Sequence, residues 1–323
     1  MSEFSLRCAW LLLAGLAAGN AVADSGSRLL AWTRPEFVYN GDVVQAGGVY
    51  PDYLFGANRA VSYASTLRGG TYLTVDFVTD AAEFEVMQKG LGAASSLWVL
   101  VDGRLLIDCG PEAPRQASRA GVELTGVRTV LISHAHDDHL DPAFLMHRGW
   151  VSTEPLQVIG PAPAIELCRD WLAPDQTAVT LTVVTAGDTF EVDGYRVQVL
   201  PATHHALGEA VLYAVQRDGR SLLYATDTGP WRTRLLELVR GWTFDLVLLE
   251  ETFGDKTPPN AVHHNFVSFG AAVQALCAVG AVDDATRVVA IHLGHDNPRL
   301  AELTSRLAAL GAEVHPDLTV LHI

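Results

Sequence analysis

The sequence predicts an α/β protein, with sheets covered by helices and an irregular N-terminal extension ahead of them. Three observations carry this. Apolar runs of strand length recur at 96–101, 104–108, 127–133, 156–159, 179–184, 195–200, 211–216 and 221–225. Stretches with helical spacing lie between or after them at 163–171, 232–240, 267–279 and 300–310. The hydrophobic content of 49% and charged content of 18% over 323 residues suit a packed core.

The elements follow in chain order. Arg7 opens a short polar start, and 8–18 is an apolar run too short to span a bilayer. Ala21-Val22-Ala23 then offers a small-x-small cleavage site, so 1–23 is expected to be an export signal and Asp24 the mature start. The protein is expected to be periplasmic or secreted. No twin arginine is present and no cysteine follows the cleavage site, so no lipid anchor or other stable membrane anchor is expected. Residues 24–80 form the extension, with a strand expected where 70–78 (GTYLTVDFV) alternates.

A regular rhythm begins at 81, and 81–323 is expected to be the main domain. Asp102-Gly103 joins two apolar runs as a hairpin turn, and Arg217-Asp218-Gly219-Arg220 makes another. The apolar strands 245–250 and 287–291 run into polar loops, and a last strand is expected at 318–323.

The formal net charge is −15, and the only lysines, Lys89 and Lys256, lie far apart. Without a basic stripe such a surface repels phosphate backbones, so nucleic acid is not an expected partner and a small-molecule substrate is. Past the export signal, Cys109, Cys168 and Cys277 are odd in number and widely spaced, which does not suggest a disulfide framework. Their apolar contexts predict small buried hydrophobes.

The strongest chemical signal is Ser133-His134-Ala135-His136-Asp137-Asp138-His139. Three histidines and a carboxylate fall in the pattern H-x-H-x-D-H directly after the strand VRTVLIS. Imidazole and carboxylate suit Zn²⁺, Mn²⁺ or iron, and buried strands seldom end in so many titratable groups. Three further places stand out: PATHH at 201–205, Asp227 closing SLLYATD, and His292 closing RVVAIH. At the first, His204 competes with His205. At the last, His292 competes with His295. Asp227 could instead cap a helix near Pro230.

Here the chain resembles the metallo-β-lactamase superfamily over roughly 81–323. The resemblance implies a four-layer αββα sandwich and two adjacent divalent ions, Zn²⁺ being expected and Mn²⁺ the alternative. It implies His134, His136 and His204 on one ion, Asp138, His139 and His292 on the other, and Asp227 bridging. Asp108, ending RLLIDCG, matches the acidic motif that orients the metal loop. The run LYATDTGP, FDLVLLEETFG, HHNF and IHLGHDN is similar to the phosphodiesterase-like branch. That branch holds the cyclic-phosphate phosphodiesterase of the carbon–phosphorus lyase pathway and relatives that process tRNA ends. It places a histidine near the scissile bond as a possible general acid, here His263 or His264, with Asn265 and Phe266 continuing the motif. The cysteine-bearing structural zinc loop of that phosphodiesterase is not matched. True β-lactamases of the superfamily place a cysteine or histidine where Asp227 stands, which weakens antibiotic hydrolysis as a reading.

The expected function is therefore a dinuclear metal-dependent hydrolase, first a phosphodiesterase for a small or cyclic phosphate ester. Two dications would lower the pKa of a bridging water so that hydroxide attacks, with Asp138 able to orient it. The alternative is a lactone, ester or thioester hydrolase, whose oxyanion donor would fall to Tyr213 or Tyr224. A third reading is a catalytically silent metal-binding protein, which the complete ligand set opposes.

Overall fold

The structure is a computed structural model that describes residues 37–40, 72–75, 97–172, 178–204, 207–294, 296–315, 317 and 319–323. The chain divides into two units, Met1–Ser95 and Ser96–Ile323. In the first, β1 (Phe37–Asn40) pairs antiparallel with β2 (Tyr72–Val75), Phe37 opposite Val75. Strand β2 falls inside the alternating stretch 70–78. The export reading for 1–23 lies outside the described residues.

The second unit holds two sheets. The five-stranded sheet runs in the order β3 (Val99–Val101), β4 (Leu105–Ile107), β5 (Thr129–Leu131), β6 (Leu156–Gly160), β7 (Val179–Val183). Its first pair is antiparallel and the rest are parallel. The parallel crossovers carry α1 (Ala113–Arg119), α2 (Ala143–Val151) and α3 (Ala162–Asp170).

The six-stranded sheet contains β8 (Thr189–Val192), β9 (Tyr195–Pro201), β10 (Val211–Arg217), β11 (Arg220–Ala225), β12 (Leu246–Glu250) and β13 (Arg287–Ile291), in the order β13-β12-β11-β10-β9-β8. Strands β8 to β11 meander antiparallel, while β11, β12 and β13 are parallel. Helices α4 (Thr233–Leu238), α5 (Phe266–Ala278) and α6 (Leu300–Ala309) accompany this sheet.

Turn chemistry sets the hairpins. Asp102 and Gly103 have φ of 51° and 68°, and Asp218 and Gly219 have 49° and 81°. Left-handed backbone at both central positions matches strand twist. A third such turn, Asp193-Gly194, joins β8 to β9.

The apolar residues sort into three layers of core. Leu105, Ile107, Leu131 and Ile159 of one sheet pack against Val197, Val199, Tyr213, Val215, Tyr224 and Leu248 of the other. The outer face of the six-stranded sheet packs Leu212, Leu223 and Val247 under Leu235, Phe269 and Leu307 of α4, α5 and α6. The outer face of the five-stranded sheet packs Leu106, Val130 and Val158 under Ala113, Leu145 and Ile165 of α1, α2 and α3. This is the four-layer αββα sandwich. Strands buried on both faces read as continuous apolar runs, as LVLLE in β12 does.

Two expectations are corrected. No strand forms at 319–323. The free side of β13 is instead met by a single bridge from Glu313 to Val289. Arg287 donates to the Glu313 carboxylate at 2.7 and 3.0 Å, so among the described residues it is 313, and not the terminal run, that meets this edge. Cys277 is exposed, unlike the buried Cys109 and Cys168, because it lies on the outward face of α5.

Candidate metal centre

The site forms where strands of one direction end. Strands β4 and β5 supply Asp108 and the 133–139 loop, while β9, β11, β12 and β13 end next to His204, Asp227, Glu250 and His292. C-terminal ends of parallel strands are the usual place for loops that carry chemistry. Asp108, Asp227 and His292 hold φ of 58°, 38° and 53°, a left-handed backbone that costs a side chain roughly 1–3 kcal/mol. Three such residues at neighbouring strand ends mark a place where side-chain direction outweighs backbone comfort.

Asp108 is fully buried and organises the loop. Its carboxylate accepts the Ser133 N–H at 2.7 Å, the Ser133 hydroxyl at 2.8 Å, the Tyr224 hydroxyl at 2.7 Å and the His139 Nδ1–H at 2.8 Å. The Ser133 hydroxyl also meets His134 Nδ1 at 2.9 Å. His204 Nδ1 faces the Val262 carbonyl at 3.3 Å. Three rings thus have Nδ1 engaged, which directs Nε2 toward the centre.

Two groups of donors result. In the first, His134 Nε2 lies 2.9 Å from His136 Nδ1, His204 Nε2 lies 3.2 Å from the same atom, and Asp227 Oδ2 lies 3.4 and 3.5 Å from His134 and His204. In the second, His139 Nε2 and His292 Nε2 each lie 3.4 Å from Asp138 Oδ2, and 3.2 and 3.0 Å from Asp227 Oδ1. Asp227 therefore turns one oxygen to each group.

This donor set fits metal ions. Ligand bonds of about 2.0–2.1 Å in a tetrahedron put donors about 3.4 Å apart. The observed spacings cluster near that edge length. Buried His139 Nε2 has carboxylate oxygens at 3.2 and 3.4 Å but makes no well-aligned hydrogen bond to either. Three imidazole lone pairs and a carboxylate converging in the first group repel one another unless a cation sits between them.

The electrostatics agree. Burial pushes His134 down and takes His204 to about 4, leaving both rings neutral as ligands must be. In the second group burial opposes charge but loses to it. The charge of Asp227 holds His139 well above its ordinary range and raises His292 to about 10. Burial would likewise raise Asp227 and Asp138, but positive His292 and His139 hold both well below the usual carboxylate range. Without a metal the carboxylates recruit protons to supply the missing positive charge.

The two candidate general acids separate. His263 joins Asp227 and His292 in a third donor group, its ring stacked 5.7 Å from His292 at 10°. Its Nδ1 lies 2.9 Å from Glu250. His264 points away: it is fully buried, its Nδ1 meets the Ser268 hydroxyl at 3.0 Å, and its ring lies edge-on to Trp231. Ser268 and Asn265 form the capping box that starts α5, so His264 belongs to the helix start. Burial lowers its pKa to about 4. His205 and His295, the rivals of His204 and His292, lie outside the described residues.

Sequence reasoning missed Glu250 as a site residue. It is fully buried and accepts from the Thr228 N–H at 2.8 Å, from His263 and from the Thr252 hydroxyl. The available signal was a carboxylate closing the apolar run LVLLE without a charged partner nearby in sequence. Gly229 brings the Asp227 loop against the His263 loop, since a Cβ there would fall 1.9 Å from the Ala261 carbonyl oxygen.

Comparison with known proteins shows the family. Residues 103–293 match the family described as Beta-lactamase superfamily domain. The chain is 32% identical over 149 residues to Ribonuclease Z of Mycobacterium sp. (strain KMS), covering 40% of this chain and 52% of that protein. The chain thus spans about half the length of the curated relatives it matches. Human tRNase Z, short form, superposes with a TM-score of 0.53 at 16% identity, over 70% of this chain and 91% of that one. A diphosphatase from the PhnP family superposes with a TM-score of 0.52 at 21% identity, over 68% and 80%. Fold and site together define the class of metal-dependent hydrolases built on this sandwich. The chain belongs to the metallo-β-lactamase superfamily, and its likenesses fall on the phosphodiesterase-like branch.

Proposed function

We propose that this chain is a dinuclear metal-dependent phosphodiesterase acting on a small or cyclic phosphate ester. His134, His136 and His204 would hold one ion, Asp138, His139 and His292 the other, and Asp227 both. When bound, the ions supply Lewis acidity and a lowered pKa for water between them. Zn²⁺ suits this nitrogen-rich set, with Mn²⁺ as the alternative.

The observation that carries the diester reading is the His263–Glu250 pair beside the donors. Glu250 accepts from His263 Nδ1 at 2.9 Å, which leaves Nε2 as the ring nitrogen available to the substrate. A proton held at Nε2 passes to the departing oxygen as the ester bond breaks. Asp138 is about one-third exposed, the most open of the donor carboxylates, and orients the attacking water.

The ester, lactone or thioester reading loses its expected donor. Tyr213 gives its hydroxyl to the Ile132 carbonyl at 2.7 Å and Tyr224 gives its own to Asp108, both inside the core. A net charge of −15 favours a small substrate over a polynucleotide. Export as a periplasmic or secreted protein completes the reading, supported by the apolar run and small-x-small site before Asp24. No described helix is long and apolar enough to cross a membrane.

The test is hydrolysis of bis(p-nitrophenyl) phosphate by chain stripped of metal and reloaded with Zn²⁺ or Mn²⁺. Metal-dependent turnover is expected. Two ions bound per chain, with turnover of lactones or thioesters and none of diesters, would replace the diester reading.

A further inference from the structure

Thr252 sits between Glu250 and the His292 ring. Its Oγ1 lies 2.9 Å from His292 Nδ1 and donates to Glu250 Oε2. The same Oγ1 lies 3.0 Å from the His292 carbonyl oxygen. A hydroxyl has one proton and can accept as well. The buried carboxylate is the stronger acceptor, so the proton goes to Glu250. The Thr252 oxygen is then an acceptor, and among the described residues the group placed to donate to it is the His292 ring. Nδ1 of His292 therefore keeps its hydrogen, so the proton that an ion would displace is the one at Nε2, which faces Asp138 and Asp227.

We propose that Thr252 is a positioning residue: its hydroxyl relays the Glu250 carboxylate to His292 and fixes the tautomer that lets His292 hold the second ion. The inference rests on the two-ion reading above. It gives Glu250 two clients, His263 directly and His292 through one hydroxyl. His139 differs, since its Nδ1 bonds a carboxylate, Asp108, without an intermediary. No other side chain is bonded to His292 at Nδ1 among the described residues, so the Thr252 hydroxyl alone sets that side of the ring. The loop is built to keep the hydroxyl in place. A Cβ on Gly294 would fall 2.2 Å from the Thr252 carbonyl oxygen and 3.1 Å from its Cγ2, so only glycine lets the two segments meet so closely.

The experiment uses the full chain and Zn²⁺ alone. Ion stoichiometry is measured, and each ion's affinity is read by chelator competition. Co²⁺ substitution reports the coordination of each site by its visible absorption. The variants are Thr252→Ser, Thr252→Ala and Thr252→Val. Serine keeps the hydroxyl and loses the methyl. Alanine loses both, so the Ser–Ala pair isolates the hydroxyl even if the valine variant does not fold. Wild type and Thr252→Ser are expected to hold two ions alike. Thr252→Ala and Thr252→Val are expected to keep the first ion and bind the second about 10–100-fold more weakly, the usual effect of losing a group that orients a ligand. Folded Ala and Val variants with wild-type affinity for both ions would overturn the proposal. So would a serine variant that loses the second ion as readily as alanine, since the methyl would then be what matters. A wild-type chain that takes up fewer than two ions would remove the two-ion reading itself, and that outcome is distinct because it appears before any substitution is made.

Discussion

His263 and His264 are adjacent in sequence and face different surroundings. One ring meets Glu250 and stacks on His292; the other meets Ser268 and Trp231 inside the helix start. If His263 protonates the leaving oxygen, the need for it grows as that oxygen becomes more basic. His263→Ala is therefore expected to slow hydrolysis of alkyl diesters by about 10²–10⁴. It should slow a p-nitrophenyl diester far less, because that leaving group departs without a proton. The check is a series of leaving groups assayed with each enzyme. Parallel lines for wild type and variant would remove the acid role from His263. His264→Ala should leave the series unchanged and lower the melting temperature instead. Asp138→Ala is expected to abolish turnover with the fold retained, read by activity beside circular dichroism.

At the scale of the element, most strands and nearly all of the site loops were legible, while β1 and β8 were not foreseen and the strand expected at the end of the chain does not form at 319–323. Apolar runs bounded by Asp-Gly turns located β4, β10 and β11 within a residue, and the turn end of β3, because those turns need left-handed backbone and sequence states it directly. The loop H-x-H-x-D-H was legible because residue type alone carries its chemistry. Helices α1 and α2 were not, since APRQASR and AFLMHRGWV are short and weakly periodic, and only packing on the sheet selects them. Glu250 was not, because its partners come from 228, 252 and 263, which no local pattern links. The end of β4 offers a test at this scale. Asp108 takes four hydrogen bonds, and Asn in its place would turn an amide donor toward some of those donors. Asp108→Asn is expected to cost about 1–3 kcal/mol in denaturant unfolding, the range for an unpaired buried polar group. It should also weaken metal binding through His139. A variant as stable as wild type that loads metal normally would mean the carboxylate charge is not what holds the loop.

At the scale of the whole molecule, the centre joins the two sheets. Asp108 and the 133–139 loop come from the five-stranded sheet, while His204, Asp227, His263 and His292 come from the six-stranded one. Metal removal should therefore loosen the sandwich at this end, and the loaded chain should melt higher by an amount that grows with free metal concentration. The pH dependence of the stripped chain has a definite sign. Its His292 has a folded pKa of about 10, raised above the ordinary 6.5 by Asp227 against the effect of burial. A raised pKa means the folded chain binds the proton more tightly than the unfolded one. That stabilisation is fully present below about pH 6.5 and is lost as pH rises through about 10. The stripped chain is thus expected to lose stability across that window. The loaded chain should not follow it, because ions have replaced the protons. Loading at pH 7.5 must then expel the protons held on His139 and His292, about two per chain, and a further one from the water that the ions ionise. Calorimetric titration of Zn²⁺ into stripped chain, in buffers of different ionisation enthalpy, measures that number. A heat that does not vary with buffer would show that no proton leaves, and that the second donor group does not take the ion.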